Sequence, residues 1–285
     1  MGAELDRLKD PLGLGRLGYS GALLEHQAIR WDHGRVSEAL EQVAEEVPVA
    51  LVYNGIPHVV MMATPADLED FALGFSLTEE LINTPTEFEA LEVVRYGQGI
   101  EIQIRVPSAR EQVIVERTRR LTGRTGCGIC GADSVNAVLR EVHPVPPGAP
   151  IGSAALHRAV EALAAGQTLN RVAGAVHAAG WADREGHLQL LREDVGRHNA
   201  LDKLIGALAR SGTDPALGFV VVTSRASFEM VQKTTVLGAP LLAAISGATG
   251  LAVRVAEQSG LTLVGFVRPD RHTVYTHPER LIPSG

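Results

Sequence analysis

A mixed α/β fold is predicted by three features of the 285-residue sequence. From residue 198 onward, apolar runs of strand length alternate with helical stretches, the rhythm of crossover units whose helices cover a largely parallel sheet. Before residue 107, apolar runs pair as hairpins around one helix, which makes a smaller α+β part. The composition suits both: 45% hydrophobic, 21% charged and a net charge of −7 describe a chain that buries a core rather than a disordered one.

The elements follow in order. Strands over 47–53 and 56–63 flank Asn54-Gly55, a two-residue hairpin signal. Thr64-Pro65 supplies a cap and a first-turn proline for a helix through Ile82, with Leu68, Phe71, Ala72, Phe75 and Leu81 at helical spacing. A second hairpin, 91–95 with 100–106, turns at Gly97-Gln98-Gly99. A helix over 132–140 takes Asp133 or Ser134 as its cap. Another helix at 154–165 leads to strands at 174–181 and 187–191. Helices at 198–210, 228–237 and 251–259 then alternate with strands at 218–223, 241–246 and 261–267. The proline- and glycine-rich stretch 143–153 reads as a linker between a part spanning 1–142 and a part spanning 154–285, or as an ordered excursion within one domain.

The two cysteines, Cys127 and Cys130, sit three apart in a glycine-rich loop, 123–131. Glycine is used where the chain must bend, move or let a partner approach. A chain of this size needs no staple and cytosolic thiols stay reduced, so sulfur chemistry outweighs a structural disulfide. Arg117, Arg119, Arg120 and Arg124 upstream and the helix start downstream favour a thiolate at Cys127; the same arginines also read as a solvated face.

Ligands of open crossover sheets bind beyond the carboxyl ends of the strands. The loops there are 223–227, with Ser224, Arg225 and Ser227; 246–250, with Gly247; and 268–271, with Arg268 and Arg271. Hydroxyls, small residues and arginines at helix starts suit phosphate or pyrophosphate, though each loop alone also reads as capping and close packing.

An acidic chain without a basic, aromatic-interleaved stretch argues against nucleic acid. Charges near the N-terminus, and no run of about 18 apolar residues, argue against a signal peptide and a membrane span, so a cytoplasmic protein is expected. His177 and His198 could join the cysteines around zinc, but nothing in the spacing demands a metal. A zinc deaminase would carry a glutamate where Ala179 stands. The charged run 193–203 reads either as acid-base residues or as a capped helix start with pairs such as His198 with Asp202.

RTGCGICG, REDVGRHNALDKLIG, TSRASFEMVQK and LTLVGFVRPDRHTVYTHPERL together resemble the formate dehydrogenase accessory sulfurtransferase family, known as FdhD. The stretch VPVALVYNGIPHVVMMATPADLEDFALGFSLTEELI is similar to the same family, and the likeness runs over 47–281. The resemblance implies a sulfurtransferase with a cysteine persulfide intermediate. It would take sulfur from a cysteine desulfurase and pass it to the molybdenum bis-guanine-dinucleotide cofactor, a bound substrate, on behalf of formate dehydrogenase. Cys127 matches the family's persulfide carrier and Cys130 its partner. Phe266, Val267, Arg268, Pro269, Asp270 and Arg271 align with the cofactor-binding stretch, and Asp270 stands where the family has glycine. The family's homodimers and cytidine-deaminase-like fold are expected as well. Two other classes fit some of the same residues. A non-catalytic cofactor chaperone would use the same loops and move no sulfur. A thioredoxin-like oxidoreductase would place its cysteine pair after the opening strand of a crossover unit, which this chain does not do.

Overall fold

The computed structural model describes residues 21–96, 99–121 and 142–283. Its larger body is a six-stranded sheet in the order β13-β12-β11-β10-β8-β9. The strands are β8 (His177–Asp183), β9 (Leu188–Asp194), β10 (Gly218–Val222), β11 (Leu241–Ala244), β12 (Thr262–Arg268) and β13 (Arg271–Val274). β10, β11 and β12 are parallel, while β8, β9 and β13 run antiparallel to their neighbours. The mixed α/β class and the crossover rhythm hold.

Side chains alternate across this sheet and so supply two cores. Val220, Val222, Leu242, Ala244 and Leu263 pack under α5 (Arg197–Ser211), α6 (Phe228–Leu237) and α7 (Gly250–Ser259). Phe219, Val221, Leu241, Ala243 and Val264 face the opposite way, onto α3 (Ser153–Gly166). The short α4 (Thr168–Ala173) ends at Gly174 with φ 66°, so β8 starts at His177 rather than at 174.

The N-terminal part is a four-stranded sheet, β4-β3-β6-β5, built from β3 (Val47–Tyr53), β4 (Ile56–Ala63), β5 (Ala90–Tyr96) and β6 (Gly99–Arg105). Val49, Leu51, Tyr53, Ile100, Ile102 and Ile104 bury one face with α1 (Leu68–Thr78) and with Ile114 of α2 (Glu111–Leu121). Helix α1 begins later than the sequence suggests, after Asp67 in left-handed backbone. Thr64 is no cap: its N–H donates to Asp194 Oδ2 (3.0 Å) and its Oγ1 accepts from Val195 N–H (3.2 Å). On its other side α1 lies against α5. Gly74 faces the Asp202 backbone and Gly206 the Asp70 backbone, at distances that leave no room for a Cβ.

The stretch 143–153 runs along the larger body. Val145 N–H donates to Ser259 O (2.9 Å), and β7 (Ile151–Gly152) pairs with β14 (Leu281–Ile282). The elements without a counterpart in the sequence reading include α2, α4, β13 and a separate two-stranded ribbon of β1 (Leu23–Asp32) and β2 (Arg35–Ala44). Among the described residues no helix is long and apolar enough to cross a membrane.

Candidate functional site at the carboxyl ends of the sheet

The strands of the larger sheet finish or begin on one edge. β9 ends at Asp194 opposite His177, the first residue of β8, and β10 ends at Val222 opposite Ala179. From this edge start α5, α6 and α7, the helices that follow β9, β10 and β11. The first-turn N–H groups of a helix have no partner within it and carry the positive end of its dipole. Thr249 caps α7 through Ala252 N–H, whereas Gly196 and Ser227, the cap residues of α5 and α6, make no side-chain cap bond.

The three loops singled out from the sequence are joined into one rim. Ala226 N–H donates to Gly247 O and Thr249 N–H to Ala226 O, both at 3.1 Å, and Ala226 bridges Ala248 as a parallel pair. Phe266 N–H reaches Ser246 O at 3.1 Å, bringing the end of β12 onto the same rim. The register of β12 and β13 shifts between Gly265 and Arg268, and within that irregularity Phe266 takes φ 52°. Phe266 is 51% exposed and its ring lies over Gly247, where an added Cβ would come within 2.7 Å of it. Glycine at 247 is what lets the aromatic ring settle on the loop.

The remaining residues of the rim divide by exposure. Arg225, Arg268, Pro269, Asp270 and Arg271 are exposed, whereas Val267 is buried in the core beneath α3. Arg268 Nη1 donates to Ile245 O and Val267 O, both at 2.7 Å, and so clasps the end of β12 to the loop after β11. Ser224 is buried and its Oγ donates to Arg225 O (3.0 Å); Ser227 Oγ donates to Glu229 Oε2 (3.4 Å).

Next to this rim the structure gathers His177, Arg197, His198 and Glu229, of which the sequence reading does not single out Glu229. His198 Nε2 lies 3.0 Å from Glu229 Oε2, without hydrogen-bond alignment. Burial opposes ionisation of Glu229, but His198, then Arg197 and Lys233, outweigh it and hold the carboxyl below its ordinary range. His177 is pushed down by burial and then by the charges of Arg197 and His198. Arg197 Nε is buried without a hydrogen-bond partner among the described residues.

The charged run 193–203 therefore splits between two roles. Arg197 and His198 face the edge, while Asp194 and Lys203, both fully buried, pair at 2.6 Å behind it. Asp194 Oδ1 also accepts from Gly196 N–H (2.7 Å) and Asn199 Nδ2 (3.0 Å), which fixes the start of α5. The pairing of His198 with Asp202 is not made: Asp202 turns away to Lys233 (2.8 Å) and Thr78 (2.7 Å). Glu229 carried no signal in the sequence, because it meets His198 only through the crossover between α5 and α6.

Cys127 and Cys130 lie outside the described residues, as does the 132–140 helix. The chain leads into that segment from α2 and leaves it near His143, and Glu80 holds both flanks, with Arg117 Nη2 and His143 Nε2 each 2.8 Å from its carboxylate. The charge of Arg117 is thus committed to Glu80. Among the described residues no group of three His, Cys, Asp or Glu could hold a metal ion.

The FdhD/NarQ family model matches residues 44–282. A sulfur carrier protein FdhD of Bordetella petrii is 52% identical over 241 residues, covering 85% of this chain and 87% of the relative. One from Cupriavidus necator is 52% identical over 252 residues, 88% of each. A crystal structure from Desulfotalea psychrophila, described as a formate dehydrogenase accessory protein, superposes with a TM-score of 0.71 at 25% identity, covering 92% of this chain and 100% of that one.

Proposed function

The chain belongs to the FdhD/NarQ family, and on that premise we propose that it is a sulfur carrier serving formate dehydrogenase. Cys127 takes persulfide sulfur from a cysteine desulfurase in the cytoplasm and passes it to the molybdenum bis-guanine-dinucleotide cofactor, which is cargo rather than a resident group. The relatives' name supports the carrier role, and the accessory-protein neighbour supports the formate dehydrogenase setting.

Loading is a thiol exchange. The Cys127 thiolate attacks the terminal sulfur of the donor's persulfide; a new S–S bond forms, the donor's S–S bond breaks, and the donor cysteine leaves as a thiolate. Cys130 stands three residues on, as a second thiol in the same loop.

The observation that carries the reading is the stitched rim, since a dinucleotide needs a surface for a base and positive charge for its phosphates. Phe266, exposed and lying over Gly247, offers a face on which guanine stacks. Arg225 and Arg271 are exposed cations beside it, and the starts of α5 and α6 present N–H groups to phosphate oxygens. Arg268 adds charge while its Nη1 holds the rim closed. Val267 and Ser224 are buried and shape the rim from below.

Incubation with a desulfurase and cysteine, followed by mass spectrometry, tests the carrier step. A gain of about 32 mass units per sulfur on the Cys127 peptide is expected. Cys127→Ala should abolish that gain and leave guanine nucleotide binding at the wild-type level. A protein that binds the nucleotide but never gains sulfur would be a cofactor chaperone, and the carrier reading would fall.

A further inference from the structure

Just past the end of α1, Glu80 holds a backbone conformation that its side chain disfavours. Its φ is 53°, in the left-handed region that glycine enters freely and a residue with a Cβ enters at a cost. Strain of this kind persists only where the surroundings over-determine it, and it clusters at functional sites. Here the turn is pinned by its own backbone bonds. Glu80 N–H donates to Leu77 O (2.9 Å), Arg110 Nη2 donates to Glu80 O (3.2 Å), and Arg110 Nε donates to Leu81 O (2.8 Å).

The side chain aimed by that turn joins two parts of the chain that flank the cysteines in sequence. Glu80 Oε2 accepts from Arg117 Nη2 of α2 at 2.8 Å, and Oε1 lies 2.8 Å from His143 Nε2. Cys127 and Cys130 fall between Arg117 and His143. Burial opposes ionisation of Glu80, but the bonds to Arg117 and His143 outweigh it and hold the carboxyl below its ordinary range. An ordinary ion pair does not account for this arrangement. Partly exposed pairs contribute about as little as such strain costs, so stability alone gives no reason to mount a carboxylate on a left-handed residue.

The clasp is anchored on the frame of the strand-end site. Beside Glu80, Glu79 lies 3.4 Å from Lys233 of α6, and Thr78 Oγ1 donates to Asp202 Oδ1 of α5 at 2.7 Å. Helices α5 and α6 start at the rim. Arg117 and His143 are therefore registered against the helices that carry the site.

We propose that Glu80 is a positioning residue for sulfur loading: by holding Arg117 and His143 on one carboxylate, it fixes where the cysteine-bearing stretch leaves and rejoins the frame. Its role rests on the reading of Cys127 as the sulfur carrier. Fixing the ends of a chain segment confines the groups within it and raises their effective concentration at a site on the same frame. A protein donor that docks on that frame gains from this. A small reagent, which meets a thiol from any direction, does not.

Two rates measured on the full chain test the role: loading of Cys127 by a desulfurase with cysteine, read by mass spectrometry, and reaction of the cysteines with a small aromatic disulfide. In Glu80→Ala, which keeps the strained backbone but loses the carboxylate, loading should fall about tenfold while the small-reagent rate stays at the wild-type value. Glu80→Gly loses the same clasp and relieves the backbone, so it should melt above Glu80→Ala yet load just as slowly. Arg117→Ala should slow loading in the wild-type background and add nothing in Glu80→Gly, because the two residues act as one unit. Loading at the wild-type rate in both Glu80 variants, a small-reagent rate that falls with it, or loading that recovers with melting temperature in Glu80→Gly would each overturn the positioning role. A wild type that gains no sulfur at all would instead remove the carrier reading, and this role with it.

Discussion

Phe266 holds a left-handed backbone conformation that an aromatic side chain adopts only at a cost of about 1 kcal/mol or more. The residue is then left about half exposed, so burial offsets that cost only in part. Stacking on a ligand base would offset the rest, at about 1–3 kcal/mol per base. Phe266→Ala should therefore weaken guanine nucleotide binding at least about tenfold by calorimetry, since 1.4 kcal/mol is a factor of ten. Gly247→Ala should do the same indirectly, because its Cβ would displace the ring from the loop. Sulfur loading on Cys127 should be unaffected in both. Undiminished nucleotide affinity in Phe266→Ala would remove the ring from the site and leave the arginines and helix starts to bind alone.

The elements around the site are fixed by close helix crossings and buried ion pairs. Helices α1 and α5 meet where Gly206 faces the Asp70 carbonyl, and a Cβ at 206 would fall 1.9 Å from that oxygen. Gly206→Ala must push the helices apart and should cost about 3 kcal/mol or more in denaturant melts, at the upper end for overpacking. Lys233 of α6 donates to both Asp202 oxygens and to Thr78, tying α6 to α5 and α1. Asp202→Ala would remove the shorter of the lysine's carboxylate contacts and leave it Glu79 at 3.4 Å, so it should cost about 3 kcal/mol, the low end for breaking a buried pair; a loss below about 1 kcal/mol would show that water reaches it, as at exposed pairs. These elements differ in how legible they were. Strands β10 and β11 were readable because each is a short, fully buried apolar run followed by a helix with one apolar side. The ribbon was not, because its exposed strands alternate Glu25, Arg30, Glu38 and Glu41 with apolar residues and contribute little to any core. In α2 the run of Arg117, Arg119 and Arg120 hid a helix that buries Ile114. Three rim loops could be found from strand ends, but hydrogen bonds such as Ala226 to Gly247 depend on strand order, which periodicity does not encode. The contact of His198 with Glu229 was hidden for the same reason.

At the scale of the whole molecule, acid stability follows from groups that fold into altered proton affinities. His58 is buried at the edge of the four-stranded sheet, with Nδ1 2.7 Å from Thr118 Oγ1 and its ring edge-on to Tyr53 and Phe75. Burial, with a smaller push from Arg117 against the pull of Glu79, lowers its pKa from 6.5 to about 4. The unfolded chain therefore takes up a proton there that the native state refuses, and stability falls as pH drops from 6.5 toward 4. The full loss is on the order of 3 kcal/mol, at 1.36 kcal/mol per pKa unit. Glu80 and Glu229, held below their ordinary range by ion pairs that outweigh burial, add a second loss at lower pH, as each is protonated through its depressed folded value. Glu193 opposes them, since burial raises its pKa and the native state takes that proton first. Urea melts at intervals from about pH 7 to about pH 5 should show stability declining across a range where ordinary carboxylates do not titrate. His58→Gln should lower stability at neutral pH and flatten that slope, because glutamine takes up no proton in either state. A slope as steep in the variant as in the wild type would assign the acid sensitivity to another histidine.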